Sequence, residues 1–283
     1  MAHRVTWLDV FTDRPLTGNG LAVVHDADDM PDDVMEAFAR ETRLSETTFV
    51  QTASDPIADY RNRIWMTVGE IDFAGHPSLG TAVAVARERG EREASYVQET
   101  RAGLQPVDVE IGEGAARASM LQEPATFGPE VDPAAILRAL GLSEQDRHPD
   151  LVPQVVSTGI AHLLVPVRST DLLDRVAPRA AELRELLDAT GCTCAYAFSW
   201  LPGRDAAHAR SFFMDRTGVA EDPATGSAAG PLMAYLHARA GEERLTIDQG
   251  VAMGRASRLM CEAGERVRVA GDVVVVLDGT LAL

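Results

Sequence analysis

Two short segments of this chain are near copies of each other. His76-Pro77-Ser78-Leu79-Gly80-Thr81-Ala82 and Asp222-Pro223-Ala224-Thr225-Gly226-Ser227-Ala228 both read x-Pro-x-x-Gly-[Ser/Thr]-Ala, and each leads into an apolar stretch. They lie 146 positions apart (222 less 76), about half of the 283 residues. Upstream, each follows a strand-like run ending in bulky residues, Ile64-Trp65-Met66 in one case and Phe212-Phe213-Met214 in the other. Pro-x-x-Gly before a helix is common, so one short match alone would carry little. A seven-residue match at half-length with matching flanks makes duplication the better reading. Two similar halves would then face a common cleft, which is a usual place for a ligand.

The rest of the pattern agrees with a restart near the middle. Arg4–Val10, Thr47–Gln51, Arg61–Thr67, Ala94–Thr100, Val107–Ile111 and Ala116–Leu121 read as strands. Thr17-Gly18-Asn19-Gly20 reads as a tight turn. Pro31–Thr42, with Pro31 near its start and acids in its first turn, reads as a helix, and so does Leu79–Glu88. Residues 122–150 are rich in Pro, Gly and acids around one short helix, Pro133–Leu140, and suit a crossing segment. Strands then recur at Gln154–Ser157, His162–Val167, Cys194–Ser199 and Ala209–Met214. Helices recur at Thr170–Ala189, broken at Pro178, and at Gly226–Ala238. Short strands at Leu245–Asp248, Val267–Val269 and Val273–Leu277 close the chain.

Charge narrows the partners. The chain has 26 Lys and Arg against 43 Asp and Glu, a net charge of −17. Such a surface repels a phosphate backbone and an anionic membrane, both of which are bound through Lys and Arg. It leaves room for an anionic small molecule, since a local site can oppose the global field. Charge therefore leaves a small-molecule partner, with no nucleic acid and no membrane. Three cysteines, Cys192, Cys194 and Cys261, make neither a disulfide framework nor a zinc site, and fit a reducing compartment. No signal-peptide pattern opens the chain, so the expected location is the cytoplasm.

The chemistry concentrates at the matched segments. The first N–H groups of a helix have no internal partner, and Gly admits close approach, so two helix starts facing one cleft would hold a carboxylate or oxyanion. Gly75-His76 precedes one apolar helix and Glu221-Asp222 the other. A helix N-terminus favours a neutral imidazole at His76 and an ionised Asp222. The plainer readings are a structural hydrogen bond for His76 and an N-cap for Asp222, with Pro223 at the next position. In Leu44-Ser45-Glu46-Thr47-Thr48-Phe49-Val50 a lone carboxylate enters a β-branched and aromatic strand. Buried there, Glu46 would hold its proton more tightly, as an acid/base must; on an edge strand it would simply face solvent. There is no G-x-G-x-x-G, no Walker loop, no metal-spaced cluster and no G-x-S-x-G nucleophile. His208 and His237 read as structural.

These motifs together resemble the phenazine-biosynthesis (PhzF-like) isomerases, which share the diaminopimelate-epimerase fold. The resemblance runs nearly end to end. It is carried by Asp9-Val10-Phe11-Thr12 with Gly18-Asn19, by residues 44–50, by Phe73-Ala74-Gly75-His76 and the segment that follows, by residues 218–230, and by Gln249-Gly250 with Gly254-Arg255-Ala256-Ser257. Where the family has Gly-Asn-Pro and Gly-Arg-Pro-Ser, this chain has Gly18-Asn19-Gly20 and Gly254-Arg255-Ala256-Ser257.

The resemblance implies an α/β (α+β) fold of two similar domains, each a curled, mostly antiparallel sheet around a central helix. The expected division is residues 1–122 plus 271–283, carrying Glu46 and His76, and residues 123–270, carrying Asp222, with the active site in the cleft between them. A homodimer, and no metal or cofactor, are implied as well. The reaction implied is the isomerisation of trans-2,3-dihydro-3-hydroxyanthranilate in phenazine biosynthesis. A Glu takes a proton from ring C3 and returns one to C1. Glu46 matches that catalytic position. His76 and Asp222 match positions that bind and orient the substrate, and Ser45, Gly75, Gly226 and Ser227 match substrate-contacting ones. The alternatives are an isomerase or epimerase of another substrate, or a non-catalytic binder of the same fold. Racemisation by a thiol pair is disfavoured because no cysteine lies at either helix start.

Overall fold

The computed structural model describes residues 2–282. The chain divides into two compact units, Met1–Leu121 with Ala270–Leu283, and Gln122–Val269. The first unit contains β1 (Ala2–Val10), β2 (Asn19–Val24), α1 (Asp32–Thr42), β3 (Glu46–Gln51), β4 (Tyr60–Met66), β5 (Gly69–Ile71), α2 (Gly75–Arg89), β6 (Glu93–Thr100), β7 (Gly103–Ile111) and β8 (Ala116–Leu121). The second contains β9 (Thr126–Glu130), α3 (Pro133–Ala139), β10 (Gln154–Ser157), β11 (Ala161–Pro166), α4 (Thr170–Leu173), α5 (Ala180–Thr190), β12 (Cys194–Leu201), β13 (Ala206–Met214), β14 (Val219–Asp222), α6 (Gly226–Ala240), β15 (Arg244–Gln249) and β16 (Ser257–Glu262). The last strand, β17 (Arg268–Ala282), runs antiparallel beside β1 in the first unit.

The two units repeat one pairing scheme. In the first, β1–β2 is antiparallel, β2–β3 parallel and β3–β4 antiparallel; β4 then takes β5 antiparallel and β6 parallel. In the second, β10–β11, β11–β12 and β12–β13 follow the same senses, and β13 takes β14 antiparallel and β15 parallel. An arginine fork recurs at the same place. Arg63 on β4 grips Glu70 on β5 with bonds of 2.8 Å and lies over the Trp65 ring. Arg210 on β13 grips Glu221 on β14 at 2.8 and 2.7 Å and lies over the Phe212 ring. Bidentate guanidinium–carboxylate pairing adds geometric specificity as well as energy.

Each unit is built around one buried helix. In α2, every residue from Gly75 to Ala86 is buried, and in α6 nearly every residue from Gly226 to Leu236. Their small and apolar sequences have no polar stripe, as befits a helix covered on all sides. Arg87 and Arg89 appear only in the last turn of α2, and each helix stops on a left-handed glycine, Gly90 and Gly241. Close packing explains two internal glycines. A Cβ on Gly80 would lie 2.5 Å from Leu21 Cδ2 and 2.9 Å from Val10 Cγ2, and one on Gly230 would overlap the Gln122 side chain. By contrast α1 is amphipathic: Met35 and Ala39 are buried, and Val34 and Phe38 pack on the same cluster with Phe49 and Trp65.

The structure moves several boundaries. The helix expected at Leu79–Glu88 begins at Gly75, so His76 lies inside its first turn rather than before it. Asn19 and Gly20 belong to β2, not to a turn. The two short closing strands from Val267 onward are one strand, β17, and β5, β9, β14 and β16 were not visible as strands. Most instructive is the repeat itself. Gly75 and Gly226 open the two central helices, and Gly90 and Gly241 end them; both pairs are 151 positions apart (226 less 75, 241 less 90), not 146. The matched motif is therefore out of register with the structural repeat. Pro77 sits in the first turn of α2, where its missing N–H costs nothing, whereas Pro223 sits in the connection before α6. A Pro-x-x-Gly-small-Ala string satisfies either setting, so similarity of letters does not fix its place.

Candidate functional site

In the first unit the site forms where β3 and α2 begin. Ser45 lies in the half-buried bend before β3, and Glu46 is that strand's first residue, next to Leu21 of β2. Because β3 runs between β2 and β4, Glu46 is not on an edge, and its side chain is only 14% exposed. Thr47, Thr48 and Phe49 after it are fully buried. His76, second residue of α2, places Nε2 3.5 Å from Glu46 Oε2. Asn19 Nδ2 lies 3.3 Å from His76 Nδ1, and the ring is hydrogen-bonded to the Gly20 backbone. His76 Nε2 is buried without a hydrogen-bond partner among the described residues.

Burial pushes the His76 pKa down to about 3, with the Gly20 backbone bond acting weakly against it. The imidazole is therefore neutral near neutral pH, as expected, but desolvation is the cause rather than the helix terminus. The Glu46–His76 contact is accordingly not an ion pair. It sets an ionisable carboxyl beside a neutral ring nitrogen, with both side chains largely buried. That arrangement suits a carboxyl that must both accept and release a proton.

In the second unit the matching groups gather at the start of α6. Asp222 is the last residue of β14, and the N-cap position belongs to Thr225, so Asp222 is not the cap. Instead Thr225 Oγ1 donates to Asp222 Oδ2 at 2.6 Å. Gln249 ties the connection together. Its Nε2 donates to the Asp222 carbonyl at 2.7 Å and to Thr225 Oγ1 at 3.0 Å, and its Oε1 accepts from Tyr196 Oη at 2.8 Å. Gly250 follows with φ +72°, and a Cβ there would lie 2.4 Å from the Arg255 carbonyl and 2.6 Å from that of Pro223. Gly226 opens α6, and its carbonyl accepts from Gln122 Nε2 at 2.8 Å. The N-cap residues of α2 and α6, Ala74 and Thr225, give no side-chain hydrogen bond to the first-turn N–H groups.

Ladder registers show which residues of the two units correspond. In the first, Ile71 faces Ile64, which faces Thr48. In the second, Asp222 faces Ser211, which faces Tyr196. Two positions earlier, Glu46 therefore corresponds to Cys194, and one helix position after Gly75 and Gly226, His76 corresponds to Ser227. The motif alignment paired His76 with Asp222; the fold pairs Asp222 with Ile71. The units share a frame but carry different chemistry on it.

Among residues that position the site, Asn19, Gln122, His162 and Gln249 escaped the reading of catalytic groups. Asn19 and Gln249 fell within quoted motifs, but their partners are 57 and 27 positions away in sequence. His237 is structural, bonding the Glu242 carbonyl at 2.7 Å where α6 ends. All three cysteines are free and buried. Among the described residues no cluster of His, Cys, Asp and Glu could hold a metal ion, and no helix is long and apolar enough to cross a membrane.

A twice-repeated, mostly antiparallel α/β unit wrapped on a buried helix, with a carboxyl beside a neutral imidazole, defines an epimerase-like isomerase fold. The chain belongs to the phenazine biosynthesis-like (PhzC-PhzF) family, whose model matches residues 8–279, and by that membership it is an isomerase. It is 36% identical to the trans-2,3-dihydro-3-hydroxyanthranilate isomerase of Pseudomonas aeruginosa, over 98% of each chain. It is 35% identical to an uncharacterized isomerase of Mesorhizobium japonicum, over 96% of each. Among solved structures, the PhzF-family phenazine biosynthesis protein of Bacillus anthracis superposes with a TM-score of 0.88 at 26% identity, over the whole of both chains.

Proposed function

We propose that the protein isomerises a small carboxylate by cofactor-independent proton transfer, with Glu46 as the acid/base. Trans-2,3-dihydro-3-hydroxyanthranilate is the best candidate substrate. The observation that carries this reading is the Glu46 carboxyl held 3.5 Å from a neutral, buried His76. The Pseudomonas aeruginosa relative bearing that activity supports the choice of substrate. Glu46 takes the proton from ring C3, the ring double bonds shift, and Glu46 delivers a proton to C1; the resulting C3 enol moves its O–H proton to ring carbon and becomes the ketone isomer, with no net change in atoms. His76 and Asp222 bind and orient the substrate's polar groups, and Ser45, Gly75, Gly226 and Ser227 contact it. Cysteine usage supports a cytoplasmic setting, and the family resemblance supports a homodimer, which light scattering on the eluting protein tests.

The decisive experiment is incubation with dihydrohydroxyanthranilate followed by ultraviolet absorbance, in deuterated solvent. Turnover with deuterium entering the product is expected. Glu46→Gln is expected to lower turnover by about 10²–10⁴-fold, the usual worth of a general acid/base, while ligand affinity stays nearly intact. Substantial residual turnover in that variant refutes the role of Glu46. The second reading keeps the mechanism and changes the substrate. The Mesorhizobium relative, an uncharacterized isomerase at 35% identity, favours keeping it in view. No turnover of dihydrohydroxyanthranilate by the wild-type protein selects it.

A further inference from the structure

The second unit contains a buried relay that the mechanism above does not use. His162 on β11 is 1% exposed and Cys194 on the neighbouring β12 is 2% exposed. His162 Nδ1 lies 3.0 Å from Cys194 Sγ, and His162 Nε2 lies 3.1 Å from Ser227 Oγ. Cys–His–Ser thus forms one line ending on the second residue of α6. This is the frame position that His76 occupies in the first unit, with Cys194 in the place of Glu46. Nothing about a nucleophile fits here, because burial holds Cys194 as a thiol, its pKa pushed up to about 12.

The direction of the hydrogen bonds follows from the acceptors. Burial pulls the His162 pKa down to about 4, so the ring is neutral and has one N–H and one bare nitrogen. Sulfur is a weak acceptor and a bare ring nitrogen a good one, so the Cys194 thiol donates to Nδ1 and the ring N–H is the Nε2–H, on the Ser227 side. With Nε2–H directed at it, Ser227 Oγ acts as acceptor inward, and its own proton is left to point outward.

We propose that His162 is a positioning residue that holds the Ser227 hydroxyl as a hydrogen-bond donor to an anionic group of the substrate, most simply its carboxylate. This rests on the reading above in which Ser227 contacts substrate. The Ser227 hydroxyl sits in the first turn of α6, at the positive end of the helix, which also favours an anion. A serine free to rotate would offer a lone pair as readily as a proton. A serine whose lone pair is engaged from behind offers a proton, which discriminates for carboxylate and against an ammonium group.

The test uses 3-hydroxyanthranilate, an aromatic carboxylate of the same size, measured by calorimetry on the full chain. His162→Phe is expected to raise its Kd about tenfold, the worth of one hydrogen bond to a charged group. His162→Gln, which returns an N–H near the Nε2 position, is expected to recover most of that loss. In a Ser227→Ala background His162→Phe is expected to do nothing further, since it acts only through the hydroxyl. With dihydrohydroxyanthranilate the loss should fall on KM more than on kcat. Full additivity of His162→Phe and Ser227→Ala, no recovery in His162→Gln, or no binding of the probe by the wild-type protein overturns the proposal. Should the variants fold poorly, nitrogen-15 spectra of wild-type His162 decide it: Nε2–H is expected, and Nδ1–H overturns it. Binding and tautomer need no turnover. A coupled cycle without turnover therefore sinks only the substrate reading, and turnover with an uncoupled cycle sinks only this one.

Discussion

Acidification should weaken this fold well before its carboxylates titrate, and His76 should be a principal cause. The unfolded chain binds a proton at each histidine near pH 6.5, whereas buried His76 does so only near about 3 and His162 near about 4. Between those limits the unfolded state binds more protons than the folded one, so stability rises with pH. A histidine with a depressed folded value therefore contributes fully above the unfolded value, and the contribution is lost as pH falls below it. Carrying that linkage from about pH 7.5 to about pH 5 costs about 2 kcal/mol for His76 and a similar amount for His162. Two such losses are large beside a total stability of roughly 5–15 kcal/mol. His25, also pushed down by burial, moves in the same sense, with Glu88 beside it acting in opposition. The assay is urea unfolding at several pH values in that window, on the wild-type protein and on His76→Asn. The variant can start from a lower stability; the quantity that matters is the slope. It should lose about 2 kcal/mol less than wild type between about pH 7.5 and about pH 5. Equal losses in the two proteins would refute the argument, because they would mean that His76 titrates alike folded and unfolded.

Three further outcomes follow from packing and from the second-unit network. Gly80→Val drives a branched side chain into Leu21 and Val10 and should cost roughly 1–3 kcal/mol or more, read from the shift in urea midpoint. Leu163→Ala, at a fully buried position among Val165, Ala195 and Phe212, should cost roughly 2–5 kcal/mol, and a loss under about 1 would contradict the core described here. Gln249→Leu removes the bonds to Asp222 and Thr225 and leaves Tyr196 Oη without its acceptor. It should lower ligand affinity as well as stability, the latter by roughly 1–3 kcal/mol, in calorimetric and thermal measurements.

Much of the architecture was legible because it depends on local pattern. Alternation in residues 4–10 and 116–121 and helical spacing in residues 31–42 are set by which side chains must leave water. The elements that escaped notice have little such signal. β5 is three residues long and wholly half-buried, and β9 is mostly exposed. Their extended form comes from pairing to β4 and β10, not from their own composition. The start of α2 escaped because Gly, His and Pro are poor helix formers, and burial on all sides overrides that preference.

By itself the sequence pointed to a repeat, to an apolar helix after each matched segment, and to Glu46, His76 and Asp222 as the groups able to do chemistry there. Those readings rest on composition and spacing, which burial imposes locally; the central place of each helix came from the family resemblance. Only the tertiary structure decided the register of the repeat, 151 positions rather than 146 at the central helices. It also decided that His76 is neutral through desolvation, that Asp222 is held by Thr225 and Gln249 rather than capping a helix, and that Ser227 is backed by His162 and Cys194. The physical reason is the same throughout. Desolvation and hydrogen-bond partnership depend on residues tens of positions away, which strand pairing and helix burial bring within about 3 Å of one another.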